Sequence, residues 1–252
     1  MSRPLWAGAQ PGRPGSPATG GPRPVRWTYL GRRPYRRVLA WQRQLAAQLA
    51  GGRGPDRLLL CEHEPVVTLG RRAGSADLVL SAEALRARQL DLVEVERGGA
   101  ATYHGPGQLV AYPILNLNRH RRDLRWLSRS LAACGQDTLA HWGIDAELRD
   151  GAALGLWTAT GKIAAQGLRV SSWVSYHGLA LNVSLDLTPF RWIVPCAMPG
   201  ATVDRMADHL TTAPPVAEVA RVFAAAFGRR FGVDMVEARR PAFARRWAED
   251  AA

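Results

Sequence analysis

Apolar and polar positions along this chain follow two periods in turn. Val25 to Leu30 alternates as a first strand. Tyr35 to Leu49 then carries Val38, Leu39, Trp41, Leu45 and Leu49 at helical spacing until Gly51-Gly52 stops it. Arg57 to His63 is a short apolar run that predicts a buried strand, and it leads into Glu64-Pro-Val-Val-Thr-Leu-Gly-Arg71. Ser81 to Leu90 predicts a short helix with Ser81 as its cap and Glu83 in its first turn. Asp91 to Glu96 and Gln108 to Leu117 predict two further strands on either side of a Gly- and His-rich stretch. Asp123 to Trp142 carries a 3.6-period stripe (Leu124, Leu127, Leu131, Leu139) closed by Gly143. Leu156 to Val183 holds several β-like runs, and Pro215 to Phe231 is a strongly amphipathic helix. An Arg-rich amphipathic helix is predicted around Phe243 to Trp247. The alternation is not a regular βαβ repeat, so the expected fold class is α/β, a mixed sheet with helices packed on it.

The ends read differently from the middle. Residues 1–24 are rich in Pro, Gly and Ser and predict a disordered tail; the Arg-rich stretch from 233 to 252 reads as a C-terminal extension, leaving 25–232 as the folded domain. The 252 residues, 47% of them hydrophobic, suffice for a packed core. No run of 18 apolar residues predicts a membrane span, and the N-terminus lacks a signal pattern. Cys61, Cys134 and Cys196 have neither disulfide nor metal spacing, which points to a reducing cytoplasm. The net charge of +12 calls for an acidic partner. The arginines are spread along the chain rather than interleaved with aromatics, which argues against nucleic acid.

Charge composition singles out one position. Of 33 basic residues, 32 are arginines, and Lys162 is the only lysine. Arg stays protonated, whereas Lys is a compact charge that can exchange its proton when its surroundings lower its pKa. Gly161 and Ile163-Ala-Ala165 flank it, unlike the polar neighbours of a surface lysine.

Three other stretches could carry chemistry. Arg97-Gly-Gly-Ala-Ala-Thr-Tyr-His104-Gly-Pro-Gly107 packs four glycines and a proline around a histidine, either as an elaborate loop or to bring backbone close to a ligand. It matches neither the dinucleotide nor the phosphate-loop pattern. His177-Gly178 repeats the His-Gly pair at the mouth of an apolar strand, where a lone histidine is as readily structural. Ile193-Val-Pro-Cys-Ala-Met-Pro-Gly200 holds Cys196 between two prolines, while Cys61 and Cys134 fall on a strand and a helix stripe as core residues. A thiol attacks as thiolate, and a neighbouring ammonium favours that form, so Cys196 and Lys162 make a sensible nucleophile and partner. Their meeting in space is not written in the sequence.

Taken together, four blocks resemble the octanoyltransferases of lipoate biosynthesis. They are Glu62-His-Glu-Pro-Val-Val-Thr-Leu-Gly-Arg71; the Arg97 to Ile114 segment; Gly161-Lys-Ile-Ala-x-x-Gly-Leu-Arg169 with His177-Gly-Leu-Ala-Leu-Asn182; and the Cys196 loop. The 34-residue step from Lys162 to Cys196 is also the family's usual spacing. The resemblance covers roughly residues 25–232. Ala100-Ala101 and Ala165-Gln166 depart slightly from the family pattern.

The resemblance implies the fold shared by biotin and lipoate–protein ligases. It implies that octanoyl-acyl carrier protein gives its acyl group to Cys196 as a thioester. The group then passes to a lysine ε-amine on lipoyl domains of 2-oxoacid dehydrogenase E2 subunits or on the glycine-cleavage H protein. Thioester exchange is nearly neutral in energy, so no ATP is implied, and the resemblance implies no cofactor and no metal. Lys162 would lower the pKa of Cys196 and shuttle protons. By the same carry-over Arg97, Gly98, Gly99, Ala100, Ala101, Thr102, Tyr103, His104, Ala165, Gln166, Gly167, Gly178, Leu179 and Ala180 would line the substrate pocket, with His177 in support. A cytoplasmic monomer is expected. The rival within this fold is an ATP-dependent lipoate– or biotin–protein ligase, against which Cys196 argues.

Overall fold

A computed structural model of the chain describes residues 24–194 and 200–238. Cys196, the tail before residue 24 and the predicted last helix lie outside them. The first half contains β1 (Pro24–Arg33), α1 (Tyr35–Ala50), β2 (Arg57–His63), β3 (Val66–Leu69), α2 (Ala82–Ala87), β4 (Asp91–Glu94), β5 (Ala101–His104) and β6 (Gln108–Ile114). The second contains α3 (Leu124–Ala140), β7 (Glu147–Arg149), β8 (Gly155–Trp157), β9 (Lys162–Ser171), β10 (Val174–Asn182), α4 (Val216–Phe231) and β11 (Asp234–Glu237).

Eight strands form one mixed sheet in the order β11-β1-β2-β6-β10-β9-β8-β7, and three form a small sheet in the order β4-β3-β5. In the large sheet β1 runs parallel to both β11 and β2, and from β2 onward the neighbours are antiparallel. The apolar run of β2 is explained by its position: Leu58 and Leu60 face α3 and α4, packing with Leu127, Leu131, Phe223 and Phe227, while Leu59 and Cys61 face α1 with Val38, Trp41 and Leu45. A strand covered on both faces has no polar side to show. The small sheet packs through Val67 and Tyr103 onto Leu85, Leu185 and Ile193.

Cys61 and Cys134 are fully buried in these cores. Asp123 caps α3 by accepting from the Trp126 N–H at 3.0 Å, and Ser81 accepts from Ala84 N–H at the start of α2. Two elements differ from the sequence expectation. The Gly-rich stretch contains the strand β5, held by β3. The large sheet also continues past residue 232, because β11 extends it along β1. No helix among the described residues is long and apolar enough to cross a membrane.

Candidate active site

β9 and β10 form a hairpin whose turn residues, Ser172 and Trp173, both take positive φ (48° and 59°), the twist that a two-residue turn requires. At the other end of β9 stands Lys162. Its N–H donates to Thr202 O at 2.9 Å and its carbonyl accepts from Asp204 N–H at 3.0 Å. The start of β9 is thereby tied to the segment that follows the Cys196 loop. The segment before that loop is tied down as well, since Val194 N–H donates to Asp77 O at 2.9 Å. The Lys162 side chain is 7% exposed and crosses Gly155, with Nζ 5.6 Å from the centre of the Trp157 ring.

A cavity of about 500 Å³ opens beside this hairpin. Arg97, Gly98, Gly99, Ala100, Ala101, Thr102 and His104 line it, with Ala165, Gln166 and Gly167 from β9 and His177, Gly178, Leu179 and Ala180 from β10. Tyr103 does not. Strand alternation turns its ring to the other side of β5, edge-on to Phe190. Two glycines are fixed by close approach: a Cβ on Gly167 would stand 2.6 Å from Gly98 O, and one on Gly178 would collide with Ala111 O. Arg97 holds its loop by donating to Thr68, from Nη2 to the carbonyl at 2.7 Å and to Oγ1 at 2.8 Å. Among the described residues no carboxylate lines the cavity, while Arg71, Arg72 and Arg97 do.

Behind the cavity lies a buried network of neutral groups. His63 Nδ1–H donates to Arg33 O at 3.0 Å, so its Nε2 accepts from Tyr112 OH at 2.7 Å. His104 Nδ1–H donates to Gln108 Oε1 at 2.7 Å, leaving Nε2 as its acceptor, and its ring stacks on Tyr35. Gln108 passes the chain to Asn182 Oδ1 at 2.8 Å, and Asn182 Nδ2–H donates to Asp204 O at 2.8 Å. His104 is thus connected by hydrogen bonds to Asp204, whose backbone N–H holds Lys162. His177 takes φ 56° and is 1% exposed, and its ring nitrogens have no hydrogen-bond partner among the described residues. Burial lowers all three histidines, His63 to about 4, and His104 and His177 to about 3. For His104 the neighbouring His63 adds to burial; for His177 the charge of Glu96 opposes it.

Residues 34–228 match the family model of the lipoyl protein ligase A/B catalytic domain. The octanoyltransferase of Gloeobacter violaceus is 43% identical over 203 residues, which cover 79% of this chain and 87% of that protein. The octanoyltransferase of Chloroflexus aggregans is 44% identical over 195 residues, 76% of this chain and 88% of that one. The chain belongs to the octanoyltransferase family. It is an acyltransferase of octanoyl transfer in protein lipoylation. Among solved structures, a lipoate-protein ligase A bound with ATP superposes with a TM-score of 0.69 at 17% identity, covering 90% of this chain and 93% of that one. A lipoate protein ligase of Thermoplasma acidophilum, described with its E2 lipoyl domain, gives 0.68 at 18%, covering 90% and 91%. These two show the shared fold.

In this octanoyltransferase the cavity also takes walls from residues outside the expected pocket lining. Tyr35 comes from α1, Leu124 and Ser128 from α3, and Arg71 and Arg72 from the turn after β3. Tyr112 and Arg71 stand inside two of the family blocks, which is the one signal the sequence held for them. His63 stands in the first block too and does not line the cavity; it supports Tyr112 from behind. Among the described residues no group of His, Cys, Asp and Glu is placed to hold a metal ion.

Proposed function

We propose that octanoyl transfer proceeds through a thioester on Cys196, with Lys162 as its partner. The Cys196 thiolate attacks the carbonyl of octanoyl-acyl carrier protein. The C–S bond to the carrier breaks, and the carrier thiol leaves with a proton passed through Lys162. The neutral ε-amine of a lysine on a lipoyl domain, of an E2 subunit or of the glycine-cleavage H protein, then attacks the acyl-enzyme. An amide forms, Cys196 is released, and the amine's proton returns by the same lysine. The Lys162 ammonium favours the thiolate by charge.

One observation carries this reading. Thr202, six residues after Cys196, is bonded to Lys162 through the backbone, so the strand that bears the lysine is built into the end of the cysteine segment. The cavity supports it: Ala100, Val110, Leu179 and Ala180 give an apolar wall, and burying an alkyl chain is worth about 0.8 kcal/mol per CH₂. A cytoplasmic monomer that needs no cofactor fits the same reading.

Intact-protein mass after mixing with octanoyl-acyl carrier protein, without ATP, tests it. Wild type should gain one hydroxylamine-sensitive octanoyl group, Cys196→Ser should gain none as a thioester, and Lys162→Arg should gain it far more slowly. Lack of an adduct on wild type, with lipoyl-domain acylation appearing only on addition of ATP and free octanoate, would replace this reading by the ligase one.

A further inference from the structure

A second, shallower groove adjoins the cavity at the start of α3. Arg121, Arg122, Arg125 and Arg129 line it, with Asp123 as its one carboxylate among the described residues, and it shares Leu124 and Ser128 with the cavity wall. Arg121 spends part of its charge on Asp123 at 3.0 Å and Arg129 on Asp150 at 3.0 Å. Arg125 and the cavity-rim residues Arg71 and Arg72 make no ion pair among the described residues. Two large apolar side chains stand exposed in the same place. Leu124 is 52% exposed, and Trp173, 39% exposed, has the Arg122 guanidinium 5.3 Å above its ring. Arginine beside exposed Trp and Leu is the composition of a protein-binding surface, whereas a merely solvated charged face carries no such anchors.

We infer that this arginine groove is the docking surface for the acidic carrier protein that delivers the acyl group. The inference rests on the reading of the donor given above and places it on the molecule. Charge selects an acidic partner: four guanidinium groups face one carboxylate. Continuity with the cavity selects the acyl donor. Leu124 and Ser128 belong to the groove and to the cavity wall alike, and Ser128 accepts from Gln166 of β9 at 2.7 Å, so an acyl chain brought by a protein seated on the groove enters the apolar cavity directly.

The test combines the charge reversals Arg122→Glu and Arg125→Glu in one variant, with Arg122→Lys and Arg125→Lys as the control pair. Neither residue lines the cavity. KM and kcat are measured with octanoyl-acyl carrier protein, with octanoyl-pantetheine, and for the lipoyl-domain acceptor. Binding of labelled octanoyl-acyl carrier protein is measured separately by fluorescence anisotropy. The double reversal should raise KM for the protein donor about ten-fold or more, with kcat, the pantetheine donor and the acceptor all within about two-fold. The lysine pair should stay near wild type. The docking inference is overturned by equal losses on both donors, by a KM rise confined to the acceptor, or by no change. Binding separates it from the catalytic reading. A wild type that binds the carrier through these arginines yet transfers nothing removes the thioester reading and keeps the groove. A wild type that transfers, with the reversal binding equally well, does the opposite.

Discussion

The side chain of Lys162 lies so close over Gly155 that no β-carbon fits between them. A Cβ on Gly155 would stand 2.5 Å from Lys162 Cε and 3.3 Å from Nζ, and would also strike Ala164 O. Gly155 further holds φ at 146°, which an L-residue resists. Gly155→Ala therefore meets both strain and a displaced lysine. We expect a stability loss of about 1–3 kcal/mol, read as a urea midpoint. We also expect single-turnover acyl-enzyme formation to slow at least ten-fold, because the ammonium is pushed off its position. A folded Gly155→Ala enzyme with an unaltered rate would show that the lysine tolerates displacement.

The three buried histidines set a pH dependence of stability. Folded, they hold protons only near pH 4 (His63) and pH 3 (His104, His177), against an ordinary value of 6.5. Below 6.5 the unfolded chain binds protons that the folded chain refuses, so stability falls as pH drops from 6.5 toward 4 and is level above 6.5. Each histidine contributes a slope of up to about 1.4 kcal/mol per pH unit. Glu96, lowered to about 2 chiefly by its bond from Arg43, acts in the same sense but only below its ordinary 4.5. The interval from 6.5 to 4.5 thus belongs to the histidines. Urea denaturation at pH 7, 6 and 5 should show a falling midpoint for wild type and a shallower fall for His104→Gln. Equal slopes would mean that His104 is protonated in the fold.

How far the sequence spoke for itself depends on where each element gets its stability. The helices α1, α3 and α4 and the strand β2 were legible because their own apolar spacing matches the faces they bury. β5 was not: Ala-Thr-Tyr-His between glycines has no strand pattern, and β3 supplies what holds it extended. β11 is a short polar edge that exists by pairing with β1. Segments of the cavity wall were legible as family blocks, but blocks carry residues together regardless of direction, and alternation turns Tyr103 away from its neighbours Thr102 and His104. Tyr35, Leu124 and Ser128 reach the cavity only through tertiary packing, which no local pattern encodes.

Asp204 ties the Lys162 strand to the cavity network, and its removal should be felt in both. Its Oδ2 accepts from Thr158 and Thr160 hydroxyls and from His209 Nε2 at 2.7 Å, and its Oδ1 from Arg205 N–H at 2.8 Å. Burial works against its charge, but these hydrogen bonds outweigh burial and hold the carboxyl below its ordinary range. Asp204→Asn presents an NH₂ to a cluster of donors and leaves at least one buried hydroxyl unmatched. A loss of about 1–3 kcal/mol in urea denaturation is expected. Acyl-enzyme formation should slow as well, since these side-chain bonds fix the position of residue 204, whose backbone N–H donates to the Lys162 carbonyl. A stability loss with an unchanged rate would confine Asp204 to the fold.

Arg97 shows why this site uses a planar cation where the start of β9 carries a compact one. Its Nη2 reaches the Thr68 carbonyl and hydroxyl together, Nε reaches that hydroxyl at 3.3 Å, and Nη1 reaches its neighbour's carbonyl, Gly98 O, at 3.1 Å. A Cβ on Gly70 would stand 2.7 Å from Nη1, so the guanidinium fills a slot that glycine leaves open. A lysine ammonium has three donors on a flexible stem and cannot span these acceptors in one plane. Arg97→Lys should leave Thr68 short of a partner, at about 1–3 kcal/mol. At about 2–4 °C per kcal/mol for a chain of this size, Tm falls by several degrees. The loop of Gly98 and Gly99 loses its anchor, so KM for the acyl donor should rise more than kcat falls. Were kcat to collapse with KM unchanged, Arg97 would act on the reacting carbonyl itself and not as the brace of the cavity wall.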